Sequence, residues 1–175
     1  MKELLVIFAK QNEEADKAFV SILDKMGNDE REKNRKSYYG SLSGLARHIL
    51  GGTFFFLGKF REAVEDNAAA LKALAGLVKV ETFRDVKKLD EAQWKKLCSG
   101  LKIADKAYVQ FVSALSDKDL EKPIQWFGKP ATTPLFFALQ SLVAHNIHHR
   151  GQISQILDEL KIDNDYSGIN AKFLG

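Results

Sequence analysis

The sequence predicts an all-α four-helix bundle, and three observations carry that expectation. Four long segments place apolar residues at helical spacing, and almost nothing alternates as a strand does. Two of the three prolines lie together between the third and fourth segments, where a long connection belongs. One short extra helix and one small hairpin complete the outline. A chain of 175 residues suits a single domain, here a bundle over 2–161 with a polar tail at 162–175. A domain of this size buries about 70% of the surface its unfolded chain exposes. Hydrophobic residues at 45% and charged residues at 28% are ordinary globular values, which excludes fibrous and disordered classes.

The first helix spans about 2–26, with Leu4, Leu5, Phe8, Ala15, Phe19, Ile22, Leu23 and Met26 on one face. Gly27 and Asn28 are suited to ending it, since both tolerate the left-handed conformation. Residues 28–40 are polar and read as a loop. The second helix runs from an N-cap at Ser41 to about Phe60, and its stripe includes Leu42, Leu45, Ile49, Phe55, Phe56 and Phe60. Gly51 and Gly52 inside it cost about 1 kcal/mol each relative to alanine, which points to another backbone passing close by. A short helical piece at 66–79 is rich in Ala and Leu. The third long helix, 90–116, is capped by Asp90 and striped by Trp94, Leu97, Leu101, Ala104, Tyr108, Phe111 and Leu115. In the connection 117–133, the run Ile124 to Phe127 reads equally as a small strand or as loop. The fourth helix starts with Thr133 as cap and Pro134 as first helical residue, and reaches about Lys161, some 42 Å.

Net charge is +3, too small an excess for a nucleic-acid or anionic-membrane surface. The densest basic stretch, Arg31 to Lys36, reads as a solvated loop. A single cysteine, Cys98, forms no intramolecular disulfide and suits a reducing compartment. The N-terminus has six apolar residues before Lys10, short of a signal peptide's roughly 7–15, and no run approaches the ~20 of a membrane span. The expected location is the cytoplasm.

Chemistry concentrates in the histidines. His145 and His149 are four residues apart, so one helix face carries both, one turn apart. They continue the stripe Leu135, Leu139, Leu142 and then Ile153, Ile156, Leu160, replacing apolar residues on the core side. An unpartnered buried polar ring costs about 1–3 kcal/mol. A hydrogen-bonded pair of core histidines satisfies that demand as well as a metal ion does. His48, midway along the second helix and one turn after Leu45, supplies a third imidazole and tips the reading to a divalent metal: zinc, nickel, iron or another imidazole-tolerant ion. His148 lies about 100° from His149 around the helix and is expected at the surface or behind the site. Gly151 suggests tight packing. Gln152 is placed to reach the pocket, and Arg150 to hold an anion or a salt bridge. Asn12 and Tyr108 are candidates for the cavity wall, though satisfied core polar groups suit them better.

The run His145-Asn-Ile-His-His-Arg-Gly-Gln152 resembles the H-x-x-x-H-R-G-Q motif of the DinB-like (DinB/YfiT) four-helix bundles. Arg47-His48-Ile49-Leu50 is similar to their second-helix segment, and the likeness extends over about 2–161. Two positions depart from the pattern: Ala144 stands where an Asn is frequent, and Gly51-Gly52 lacks an acidic residue. The resemblance implies that His48, His145 and His149 are the metal ligands, with further positions open to water or substrate. It implies a metal-dependent hydrolase, or a transferase or isomerase acting through a low-molecular-weight thiol cosubstrate. A non-catalytic metal- or ligand-binding stress protein is the alternative. It also implies a homodimer and a small-molecule substrate. No catalytic side chain beyond the ligands is identified. The motif contains no carboxylate base of the H-E-x-x-H kind, which favours thiol activation over water.

Overall fold

The computed structural model describes residues 1–126 and 132–164. Four long helices form the bundle: α1 (Lys2–Leu23), α3 (Leu42–Ala63), α5 (Glu91–Ala114) and α7 (Leu135–Glu159). Short helices α2 (Asn28–Arg31), α4 (Ala68–Ala73) and α6 (Asp117–Leu120) lie in the connections, and a 3-10 turn, Ala75–Lys79, follows α4. Strands β1 (Pro123–Gln125) and β2 (Thr132–Pro134) pair antiparallel, with Ile124 opposite Thr133. Phe127 and the tail from residue 165 lie outside the described residues. No described helix is long and apolar enough to cross a membrane.

Local signals set most helix starts. The Ser41 side chain accepts the Gly44 N–H, and Asp90 forms a full capping box with Gln93. At α7 the start differs from the sequence reading. Thr133 sits in β2 and its hydroxyl accepts the Trp126 indole N–H at 2.6 Å, so it caps nothing. Pro134 is the N-cap, with extended ψ, and Leu135 is the first helical residue, its N–H donating to the Lys122 carbonyl at 2.9 Å. The hairpin therefore aims α7. The end of α1 also differs: it stops at Leu23, ahead of Gly27, which has a right-handed-side φ of −65°. Arg31, expected in solvent, is buried instead. Its guanidinium donates to the carbonyls of Leu23 and Met26 and to Glu91, and lies 4.7 Å over the Trp94 ring. The Arg31 side chain thus ties down the turn that follows α1.

Around the bundle, α1 packs chiefly on α5 and α7, and α3 packs on α7 and α5. The core falls into two apolar halves. One holds Phe60, Tyr108, Phe111, Leu139 and Leu142; the other holds Phe19, Leu45, Ile49, Trp94, Ile153 and Leu157. Between them every long helix contributes buried polar side chains: Asn12 and Asp16 from α1, Thr53 from α3, Asp105 from α5, and Asn146, His149 and Arg150 from α7. That polar layer positions the site described next. Replacing Asp90 with alanine removes the capping box of α5 and should lower unfolding free energy by about 1 kcal/mol, read by urea denaturation. Thr133→Ala should leave α7 helicity unchanged by amide exchange.

Candidate metal centre

Helices α3 and α7 run antiparallel, which brings His48 opposite the pair His145 and His149. The Nε2 atoms of His48 and His145 stand 3.0 Å apart. Ring centroids are 4.3 Å apart for His48 and His149, and 4.5 Å for His145 and His149. One nitrogen from each ring lies within 4.8 Å of the others. His149 is buried, while His48 and His145 are half-buried, so the cluster keeps an open side.

Gly52 explains how the helices come close enough. A Cβ on Gly52 would overlap the His145 ring. The glycine is thus required by an imidazole, not by a passing backbone. Gly51 and Gly151 have nothing within 4 Å of a notional Cβ, so tight packing accounts for neither.

Hydrogen bonds at the far side of two rings set their tautomers. Nδ1 of His145 contacts the Asn146 side-chain oxygen at 3.1 Å, and Nδ1 of His149 contacts that of Gln152 at 2.7 Å. An amide oxygen only accepts, so both rings carry hydrogen on Nδ1 and keep Nε2 as the lone-pair atom. Asn146 is itself oriented by donating to Thr53 Oγ1 at 3.4 Å. Burial, then the neighbouring His149 and His145, push His48 down to about 4, and burial lowers His149 as well. Near neutral pH His48 and His149 are free bases. His145 turns its Nε2 lone pair toward His48 Nε2 at 3.0 Å, a contact that an N–H on His48 Nε2 satisfies or that a cation held between the rings replaces. Three imidazoles, two of them with oriented tautomers, fit a divalent ion of the zinc, nickel or iron type.

The other expected residues fall in different places. Gln152 stands behind His149, as its bond requires. His148 is exposed; its ring lies 4.8 Å from that of His149 but outside the cluster. Arg150 and Asn12 form a buried network away from the histidines. Arg150 donates to Asn12 Oδ1 at 2.8 Å and to Asp16, and Asn12 donates to Asp105 at 3.3 Å. Burial raises both carboxyls; Asp105 rises well above the usual carboxylate range, helped by the charge of Asp16, while Arg150 opposes the rise at Asp16. Arg150 pairs with Asp16, and Asp105, raised further, is the more readily protonated of the two acids. Arg150 is thus an internal salt bridge rather than an anion anchor. Tyr108 is buried in the other core half, and its hydroxyl donates to the Leu139 carbonyl at 2.9 Å.

Four contributors escaped the sequence reading. Tyr39 stacks on His48 at 3.9 Å between centroids, and its hydroxyl lies 2.9 Å from His48 Nε2. It sits in the connection before α3, where no periodicity marks it. Asn146 orients His145, and its adjacency to that histidine was the available signal. Asp16 and Asp105 look like ordinary helix-surface charges, and nothing local reveals their common partner.

Arg150→Met should cost about 3–5 kcal/mol at neutral pH, because Asp16 loses the buried cation that pairs with it. The loss should shrink as the pH is lowered, because the buried carboxyls take up protons more readily than free ones, as urea titrations at neutral and acidic pH will report.

No curated protein and no solved structure matches the chain. The model of the DinB family matches residues 1–160, nearly the whole described fold with all three clustered histidines, and the chain belongs to the DinB family.

Proposed function

We propose that His48, His145 and His149 hold one divalent metal ion through their Nε2 atoms, and that the centre activates a low-molecular-weight thiol for transfer to an electrophile. The observation that carries this reading is the convergence of three imidazoles, two with tautomers fixed by Asn146 and Gln152. A bound divalent ion supplies Lewis acidity, lowering the pKa of a coordinated thiol or water. The chain's own residues do the rest. Three uncharged ligands leave the ion's charge unneutralised, which attracts an anionic nucleophile. Asn146 and Gln152 hold the rings against rotation. Phe56 lies 5.9 Å from the His145 ring and 5.7 Å from Trp126, and Phe55 lies 6.3 Å from Trp126. These rings form an aromatic wall suited to the apolar part of an electrophile. Among the described residues, no carboxylate joins the three-histidine group, so the usual general base for water attack is not supplied there. That favours thiol over water, because a thiol needs no strong base once its pKa is lowered.

The test joins binding to turnover. Purified protein should hold one equivalent of zinc or nickel by elemental analysis, and should conjugate an activated electrophile to glutathione or bacillithiol only when loaded. Ester hydrolysis without conjugation indicates the water-activating form, and inactivity of the loaded protein across both panels indicates a binding protein. His48→Ala, His145→Ala and His149→Ala should each lose stoichiometric metal, whereas His148→Ala should keep it. Gln152→Ala should weaken affinity by about 10–100-fold, the usual effect of removing a partner behind a ligating histidine.

Proton competition gives a second check. A lowered histidine pKa means that the lone pair stays available to a lower pH than in a free imidazole. His48 and His149 should therefore compete with protons at lower pH than free imidazoles do, and His48→Ala should change the pH at which metal is lost on dialysis less than it changes the stoichiometry.

A further inference from the structure

We infer that the Tyr39 hydroxyl closes the fourth side of the histidine cluster and is the group that an incoming thiolate or small anion must displace. This rests on the metal reading above and adds a residue to it. The hydroxyl lies 2.9 Å from His48 Nε2, nearly the 3.0 Å that separates that nitrogen from His145 Nε2. Donor atoms that share one tetrahedral ion at 2.0–2.1 Å stand about 3.3 Å apart. The phenol oxygen thus keeps the spacing of a neighbouring donor. Its ring is held against two of the three imidazoles, stacked on His48 and edge-on to His149 at 5.3 Å.

The backbone is shaped to hold it there. Gly40 adopts φ +77°, a conformation that side chains resist, and its N–H donates to the Ser37 carbonyl at 3.0 Å. Ser41 N–H donates to the Tyr39 carbonyl at 2.9 Å. That carbonyl occupies the space where a Cβ on Gly44 would stand. Gly44, in the first turn of α3, therefore lets the loop fold back over the helix start. The preceding Tyr38 is 93% exposed, so the turn sends one tyrosine out and the next one in.

When an ion takes the His48 lone pair, the hydroxyl loses its acceptor but keeps its place, and an exogenous ligand competes with it. Cobalt(II) reports this without turnover. Wild type, Tyr39→Phe, Gly44→Ala and His145→Ala are titrated with cobalt(II), and the loaded forms are then titrated with azide. Tyr39→Phe keeps the ring and should still bind one equivalent of cobalt. Its ligand-field spectrum should change, and azide should bind about tenfold more tightly, because it no longer has to displace the phenol oxygen. Gly44→Ala, which dislodges the loop, should behave likewise. A Tyr39→Phe spectrum and azide affinity equal to wild type overturn the role of Tyr39 and leave the metal centre standing. Absence of stoichiometric cobalt in wild type, or undiminished binding by His145→Ala, overturns the metal centre itself. A measurement on wild type covers the case in which a variant does not fold. With ring-labelled tyrosine, one resonance should be strongly shifted by cobalt and should relax toward its diamagnetic position as azide is added. No shifted tyrosine resonance overturns the inference.

Discussion

The buried pair of Arg150 with Asp16 constrains more of this bundle than any single apolar contact. A guanidinium and a carboxylate withdrawn from water are tolerable only while they keep each other and their remaining partners. Here the partners come from three helices: Asp16 and Asn12 on α1, Asp105 on α5 and Arg150 on α7. Sliding or turning any of those helices by one residue would strand a buried charge. Apolar stripes alone would tolerate such slippage far better, since Leu and Ile are interchangeable along a face. The network therefore fixes the register that hydrophobic burial only suggests.

That register decides where the histidines point. His149 and Arg150 are sequence neighbours and project about 100° apart around α7. When Arg150 turns toward α1, His149 is carried toward α3, where His48 waits. His145, one turn earlier on the same side, is seated in the hollow left by Gly52. The two apolar core halves above and below hold this layer from both ends, as strips of Leu, Ile and Phe along all four long helices.

Much of this was legible in the chain. The four long helices follow from apolar spacing, and the Asp90 cap from its position. The histidine cluster follows because His145 and His149 break an apolar stripe in a way that demands shared compensation. What the sequence hid has a common physical character: it depends on partners far apart along the chain. Asp105 and Asn12 are separated by 93 residues, and Asp16 and Arg150 by 134, so neither acid could be told from a surface charge. Gly52 announced a close approach, but not that an imidazole would make it. Arg31 looked solvated because the carbonyls it covers belong to no motif. The start of α7 was misplaced by one residue because Thr133 was wanted by the hairpin, whose pairing lies outside any local capping rule.

The pairing of Arg150 with Asp16 has a consequence for the face of α7 on the other side. Burial makes both acids less readily ionised than free carboxyls, and the guanidinium offsets the negative charge that Asp16 carries. Two ionised acids without that cation would lie behind His149 as an anionic layer and offset the field of any cation held in front of it. A guanidinium without an acid would repel that cation. Compensation within the layer weakens both effects and leaves the open side of the cluster as the main source of the potential felt by a molecule arriving at the histidines.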